Sequence, residues 1–201
     1  MNHKILAPAV VEYEFPEDLA KNIINIIDES KSIPWAKSGV GNEGIQEQEV
    51  RTSTGFNFTQ VLPFWDEEVK KHFIPSVQHY CKMFETTVNA DEGFGLLRYE
   101  ETNKYDFHSD ADWNMYRTVS ALVYLNPSEY EGGATHFKNF DIKVKPEKPS
   151  IVVFPSNYAY LHAAMPVTEG CKFVLVTWMN DLPGGFGPNV MYDLAKITGR
   201  I

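Results

Sequence analysis

The sequence predicts a mainly β protein, a sandwich or jelly roll, with helices packed outside the sheets. Five short segments after residue 93 are rich in β-branched and aromatic residues, and turns containing glycine or proline separate them. These segments are residues 94–99, 117–125, 134–137, 150–154 and 172–179. Short strands at such spacing favour antiparallel pairing over a parallel sheet with crossover helices.

Two helices are predicted before these strands, because apolar residues recur there at spacings of three and four. The first helix follows the acidic pair Glu17-Asp18, which suits a helix amino terminus, and should end near Ser32. The second should run from Trp65 to Phe84, although Pro75 must kink it or split it in two. The glycine-rich residues 35–44 are predicted to form a mobile loop, which is a candidate lid over a site.

The chain length of 201 residues is typical of one domain, which we take to span residues 1–201. We expect a helical cover at about residues 1–90, a β-rich core at about residues 91–182 and a carboxy-terminal tail at residues 183–201. Apolar residues make up 43% of the chain, which is enough for such a domain to bury a sizeable core.

Charge, hydropathy and cysteine content together argue against a nucleic-acid substrate, a membrane span and a disulfide framework. The formal net charge of -9, with no run of lysine or arginine, disfavours a nucleic-acid substrate. No stretch of 18 uncharged apolar residues is present, so no membrane span is expected. Two cysteines, Cys81 and Cys171, are too few for a disulfide framework. We therefore expect a cytoplasmic protein.

A candidate metal site is formed by His108, Asp110 and His162. On a strand, residues two apart project from one face, so His108 and Asp110 could bind one ion together with the second imidazole. Asp106 and Asp112 share this alternation and are alternative carboxylate ligands. Two imidazoles and one carboxylate leave coordination positions open, which suits a non-haem Fe(II) oxygenase. The same set with water in the fourth position suits a zinc hydrolase.

Further residues accompany these ligands in a specific order. Tyr99 lies nine residues before His108, a Gly-Gly-x-Thr turn ends at Thr135, and Lys172 lies ten residues after His162. Over about residues 94–181, this order resembles the prolyl 4-hydroxylase-like branch of the 2-oxoglutarate and Fe(II)-dependent dioxygenases. The resemblance implies a double-stranded β-helix, the jelly roll of cupin-like proteins, with His108, Asp110 and His162 as the iron ligands.

The resemblance also implies a binding site for 2-oxoglutarate. Lys172 would bind the outer carboxylate, with Tyr99 and Thr135 assisting, and Arg117 would contact a peptide substrate. The physical chemistry agrees, because Fe(II), Asp110 and Lys172 together carry a net positive charge that the dianion neutralises. The neighbours of Lys172 on the same strand face are apolar, so its ammonium needs a partner.

The expected reaction is hydroxylation of a C–H bond with Fe(II), 2-oxoglutarate and O2, and ascorbate is a further expected cofactor. The presence of Asp110, where halogenating relatives have a small residue, favours hydroxylation over halogenation. A prolyl residue in a peptide or protein is the expected substrate, and a free amino acid or small metabolite is the alternative. A zinc hydrolase and a catalytically silent jelly-roll binding module remain the alternatives from other classes.

Overall fold

The computed structural model describes residues 1–39, 49–111 and 116–181. Within these residues there are three α-helices: α1 (Glu17–Glu29), α2 (Phe58–Val61) and α3 (Pro63–Met83). The strands are β1 (His3–Ala7), β2 (Val10–Glu14), β3 (Ala36–Lys37), β4 (Thr54–Asn57), β5 (Ala90–Asp91), β6 (Gly95–Tyr99), β7 (Tyr105–His108), β8 (Arg117–Tyr124), β9 (Tyr130–Gly132), β10 (Thr135–Phe137), β11 (Ile142–Val144), β12 (Ser150–Pro155), β13 (His162–Ala164), β14 (Val167–Gly170) and β15 (Lys172–Asn180).

Two antiparallel sheets form the framework. The larger sheet has the order β1-β2-β12-β8-β15-β6-β4-β3, and β5 also pairs with β15. The smaller sheet has the order β11-β10-β13-β7, and β14 pairs separately with β9. Strands distant in sequence are neighbours in both sheets, as a jelly roll requires. Strand β15 therefore lies in the middle of the larger sheet, between β8 and β6.

Hydrophobic clusters lie on both faces of the larger sheet, because successive side chains alternate along each strand. Val123 and Leu175 face the helices and belong to the core that also contains Ile23 of α1 and Phe73 of α3. Tyr124, on the opposite face of β8, belongs to a core that includes side chains of the smaller sheet. The helices thus cover one face of the larger sheet, and the other face is left to line a site.

All five predicted strands are present, with small differences at their ends, and both predicted helices form. Helix α1 follows Pro16, places Glu17 and Asp18 in its first turn and buries Ile23 and Ile27. Helix α3 continues through Pro75 as one helix, so of the two expected outcomes, a kink or a split, the split does not occur. Phe73 and Val77, on either side of the proline, are buried in the same core, and this packing outweighs the one lost backbone hydrogen bond.

The division at residue 90 into helices and strands is incomplete, because β1 and β2 precede α1 and join the larger sheet. In the candidate lid, residues 36–37 form the short edge strand β3, while residues 40–44 lie outside the described residues. The tail at residues 183–201 also lies outside them. None of the described helices is long and apolar enough to cross a membrane.

Candidate active site

The three predicted metal ligands meet at one end of the smaller sheet. His108 ends β7 and His162 begins β13, and the two residues are direct partners across these antiparallel strands. Asp110 was predicted to share a strand with His108. In the structure it lies two residues after the end of β7, on an irregular segment. One ligand atom from each of the three side chains lies within 4.8 Å of the others.

Backbone carbonyl groups orient both imidazoles. Nδ1 of His108 lies 2.8 Å from the carbonyl oxygen of Asp106, and Nδ1 of His162 lies 3.1 Å from that of Tyr160. Because a carbonyl only accepts hydrogen bonds, each Nδ1 carries the proton and each Nε2 presents a lone pair in the neutral ring. These Nε2 atoms lie 3.5 and 3.6 Å from the carboxylate oxygens of Asp110.

Asp110 is held by two buried serines. The Ser120 hydroxyl donates a hydrogen bond of 2.7 Å to the carboxylate, and Ser120 and Ser156 are themselves hydrogen-bonded at 2.7 Å. Burial alone would raise the pKa of Asp110, but the neighbouring imidazoles and the Ser120 hydroxyl hold this pKa well below its usual range. Burial lowers the pKa of His162 to about 4. At neutral pH the carboxylate is therefore charged and His162 is neutral.

This protonation state fits a metal ion. A carboxylate and two imidazole lone pairs converge on one point, and a cation relieves their mutual repulsion. The mixed nitrogen and oxygen donors suit a divalent first-row transition metal, and three protein ligands leave room for other ligands. The hydrogen bonds to Nδ1 and to Asp110 provide the outer support that metal ligands usually have.

A cavity of about 310 Å³ adjoins the three residues. Lys172, at the start of β15, lines this cavity and is only 2% exposed. Its ammonium donates a hydrogen bond of 2.7 Å to the carbonyl oxygen of Gly133, and none of the salt bridges found among the described residues includes it. Burial, together with the charge of Lys145, lowers the pKa of Lys172 to about 7. A bound carboxylate would supply the missing counter-charge.

Tyr99 and Thr135 lie beside Lys172 in the same cavity. Tyr99 is the partner of Lys172 across β6 and β15, and its ring centre is 5.4 Å from the ammonium nitrogen. The Thr135 hydroxyl is hydrogen-bonded to the Tyr124 hydroxyl at 2.6 Å. Val174 and Val176, on the same strand face as Lys172, form an apolar wall of the cavity, as strand alternation predicted. The arrangement offers one ammonium and two hydroxyls to a carboxylate.

Arg117 also lines the cavity, but a carboxylate of the protein already neutralises it. Its guanidinium makes two hydrogen bonds to Glu92, of 2.8 and 2.6 Å, and a longer one of 3.3 Å to the carbonyl oxygen of Asp110. The same group lies 3.6 Å from the centre of the Trp178 ring. Arg117 is therefore fixed at the edge of the cavity, next to the segment that carries Asp110.

Other residues considered from the sequence lie away from the centre. Asp106 is exposed and forms an ion pair with Lys104, while Asp112 and Trp113 lie outside the described residues. Tyr116 and Tyr158 are 74% and 81% exposed and do not line the cavity.

Arg51, Glu92 and Ser120 are among the lining or supporting residues that were missed from the sequence. A polar residue at position 120, between Val119 and Ala121 in an apolar strand, was a usable signal for Ser120. Arg51 and Glu92 lie in polar surroundings that give no such signal.

Residues 94–180 match the family model described as the 2OG-Fe(II) oxygenase superfamily. This segment is thus similar to the 2-oxoglutarate- and Fe(II)-dependent oxygenases. The matched segment contains the three candidate ligands, Lys172 and the strands that position them. The family resemblance inferred from the order of the residues is thereby confirmed. Members of this superfamily use Fe(II), 2-oxoglutarate and O2, in agreement with the donor set and the carboxylate site.

Two curated relatives and one solved structure extend the comparison. A protein of Acanthamoeba polyphaga mimivirus, provisionally named a prolyl 4-hydroxylase, is 26% identical over 160 residues, which cover 70% of this chain and 66% of that protein. A PKHD-type hydroxylase of Sphingopyxis alaskensis is 33% identical over 113 residues, which cover 51% of each protein. The chain thus spans about half to two thirds of the length of these relatives.

The solved structure is a prolyl hydroxylase from Trichoplax adhaerens in complex with a peptide fragment of the hypoxia inducible factor oxygen degradation domain. It aligns with a TM-score of 0.73 at 14% identity, covering 86% of this chain and 84% of that chain. At this level of identity the likeness concerns the fold alone. It confirms the predicted double-stranded β-helix.

Proposed function

We propose that the protein is a 2-oxoglutarate- and Fe(II)-dependent dioxygenase that hydroxylates a prolyl residue in a peptide or protein. The observation that carries this proposal is the cavity that joins the three candidate ligands to Lys172. A zinc hydrolase would use the ligands but has no need of a buried ammonium at the other end of the cavity. The relatives named as prolyl 4-hydroxylases support the choice of proline.

In the proposed reaction His108, Asp110 and His162 hold the iron. Bound Fe(II), together with 2-oxoglutarate, supplies the activation of O2 that places one oxygen atom on the substrate and converts the cosubstrate into succinate and CO2. The protein contributes orientation and environment. Ser120 fixes the carboxylate of Asp110, and the backbone carbonyls fix both imidazoles, so the ligands are positioned before the metal arrives.

The remaining lining residues bind the two organic substrates. Lys172 would pair with the outer carboxylate of 2-oxoglutarate, and the hydroxyls of Tyr99 and Thr135 would bind the same group. The apolar wall that includes Val174 and Val176 would exclude water from the reacting C–H bond. Arg117 would contact the peptide at the edge of the cavity, where Glu92 holds it in place.

Succinate formation with Fe(II), 2-oxoglutarate and O2, with and without peptides that contain proline, tests this proposal. We expect succinate release that the peptides stimulate, and peptide products with one added oxygen atom on proline. His162→Ala should abolish both signals, whereas His136→Ala should retain them, since His136 lies outside the cavity beside Asp141. Succinate release that no peptide stimulates would redirect the search to free amino acids or small metabolites. No succinate from folded, iron-loaded protein would contradict the enzyme assignment.

Two further parts of the proposal concern an accessory cofactor and the cellular location. Ascorbate is proposed as an accessory cofactor on the family resemblance, and stimulation of repeated turnover by added ascorbate tests it. A cytoplasmic location is proposed because Cys81 and Cys171 are both free thiols, which suits a reducing compartment. Microscopy of the tagged protein in its native cell tests the location.

A further inference from the structure

A second cation, Arg51, lines the same cavity as the candidate metal ligands and Lys172. Its guanidinium hydrogen bonds go to neutral oxygens: Nε donates to the Ser53 hydroxyl at 3.1 Å and Nη1 donates to the Gly39 carbonyl oxygen at 2.8 Å. No carboxylate among the described residues forms a salt bridge with it. Arg51 thus differs from Arg117, which Glu92 neutralises.

Arg51 is held in a defined position. Its backbone forms an isolated antiparallel bridge with Tyr105, and its guanidinium carbon lies 4.6 Å from the centre of the Tyr105 ring. The Tyr105 ring in turn stacks on the His108 imidazole, with 3.7 Å between the ring centres and 19° between the planes. One aromatic ring therefore separates the guanidinium from a candidate metal ligand. Such a preorganised fork loses little side-chain entropy when it binds an anion.

The charges of the cavity indicate what this cation binds. In the proposed enzyme, Fe(II), Asp110 and Lys172 are balanced by the two negative charges of 2-oxoglutarate, and Arg117 is balanced by Glu92. Arg51 then remains the uncompensated charge of the cavity among the described residues. A carboxylate is the planar anion that a guanidinium binds through two hydrogen bonds.

We propose that Arg51 is a specificity-determining residue that binds a carboxylate of the hydroxylated substrate. This inference rests on the proposed function and narrows its substrate class to compounds that bear a carboxylate near the prolyl ring. The carboxylate has three sources: the α-carboxylate of a free amino acid, the carboxy terminus of a peptide, or an acidic side chain beside the proline.

Binding measurements on matched pairs test the proposal without requiring turnover. The protein is loaded with 2-oxoglutarate and with Mn(II) in place of Fe(II), and ligand affinities are measured by calorimetry. Each pair differs only in the conversion of a carboxylate to an amide. The pairs are L-proline and L-prolinamide, N-acetyl-Ser-Pro with a free and an amidated carboxy terminus, and amidated peptides that contain Pro-Glu and Pro-Gln.

In at least one pair the carboxylate should bind about tenfold to hundredfold more tightly than the amide, the range expected for a charged hydrogen bond. In Arg51→Gln the affinities of the two members of each pair should become similar, mainly because the carboxylate ligand binds more weakly. Arg98→Gln should retain the preference, because Arg98 also lies over an aromatic ring, that of Trp35, but does not line the cavity. The pair that shows the preference identifies the source of the carboxylate.

Arg51→Lys is a second variant that keeps the proposal testable if Arg51→Gln does not fold. Lysine keeps the charge without the planar fork, so the preference should fall without disappearing, and added salt should weaken it further. Equal affinity within every pair, or an undiminished preference in Arg51→Gln, would overturn the proposal. Succinate release by the Fe(II) enzyme is measured separately, so loss of the proposed oxygenase activity and loss of the carboxylate preference are distinguishable results.

Discussion

Replacing Lys172 with methionine removes a buried cation while keeping a side chain of similar length. In the protein without cosubstrate, the hydrogen bond of the ammonium among the described residues goes to the carbonyl oxygen of Gly133. A hydrogen bond between charged groups contributes about 1.5 to 3 kcal/mol. The dissociation constant for 2-oxoglutarate should therefore rise roughly tenfold to hundredfold in Lys172→Met. The affinity for the metal alone should change little, because Lys172 is not one of the candidate ligands.

The pH dependence follows from the low pKa of this lysine. Lys172 has a pKa of about 7 in the folded protein and an ordinary value of 10.5 when exposed. Between these values the unfolded chain holds more protons than the folded one, so this residue makes the free energy of unfolding rise with pH. The slope should be at most about 1.4 kcal/mol per pH unit. Lys172→Met should stabilise the cosubstrate-free protein at neutral pH and remove this slope.

The same pKa implies that 2-oxoglutarate binding takes up protons. Above pH 7 a growing fraction of Lys172 is neutral, and binding of the dianion should restore its charge. Calorimetry of 2-oxoglutarate binding at pH 8 in buffers of different ionisation enthalpy measures this uptake, and Lys71→Met, on the exposed surface of α3, is the matched control. Unchanged 2-oxoglutarate affinity and proton uptake in folded Lys172→Met would refute the assignment of Lys172 to the cosubstrate.

Three further outcomes are expected around the metal and the turn that holds Lys172. Ser120→Ala should weaken Mn(II) binding about tenfold to hundredfold by calorimetry, because Asp110 loses its supporting hydrogen bond, and Ser120→Thr should restore most of it. Mn(II) at a hundred times its dissociation constant should raise the free energy of unfolding by about 2.7 kcal/mol, and His162→Gln should remove most of this gain. Gly133→Ala should lower the free energy of unfolding by about 1 to 2 kcal/mol in urea and weaken 2-oxoglutarate binding, since Gly133 has a φ of 61° and accepts from Lys172. An Ala variant as stable as the parent would contradict the last expectation.

The strands and the central residues of the site were predictable because their signals are local. Alternation along β15 placed Lys172 on the same face as Val174 and Val176, and the structure agrees. The hairpin of β1 and β2 was not predicted. In its turn Ala9 has a φ of 52°, a left-handed conformation that alanine rarely adopts. No glycine stands at this turn to signal such a conformation.

The parts of the site that were missed depend on pairing between distant segments. Arg51 reaches the cavity only because its backbone pairs with Tyr105, far along the chain. Glu92 matters only because the fold brings it to Arg117. The segment that carries Asp110 leaves the strand after β7, and its position depends on Ser120 and not on strand geometry. Neither residue spacing nor periodicity contains this information.

The three candidate ligands are held by different sheets. Both histidines belong to neighbouring strands of the smaller sheet, whereas Asp110 is held by Ser120 from the larger sheet. An ion bound to all three would act as a cross-link between the two halves of the sandwich. Asp110, which alone of the three lies off a strand, connects that cross-link to the larger sheet through Ser120, while the pairing of β7 with β13 sets the spacing of the two imidazoles.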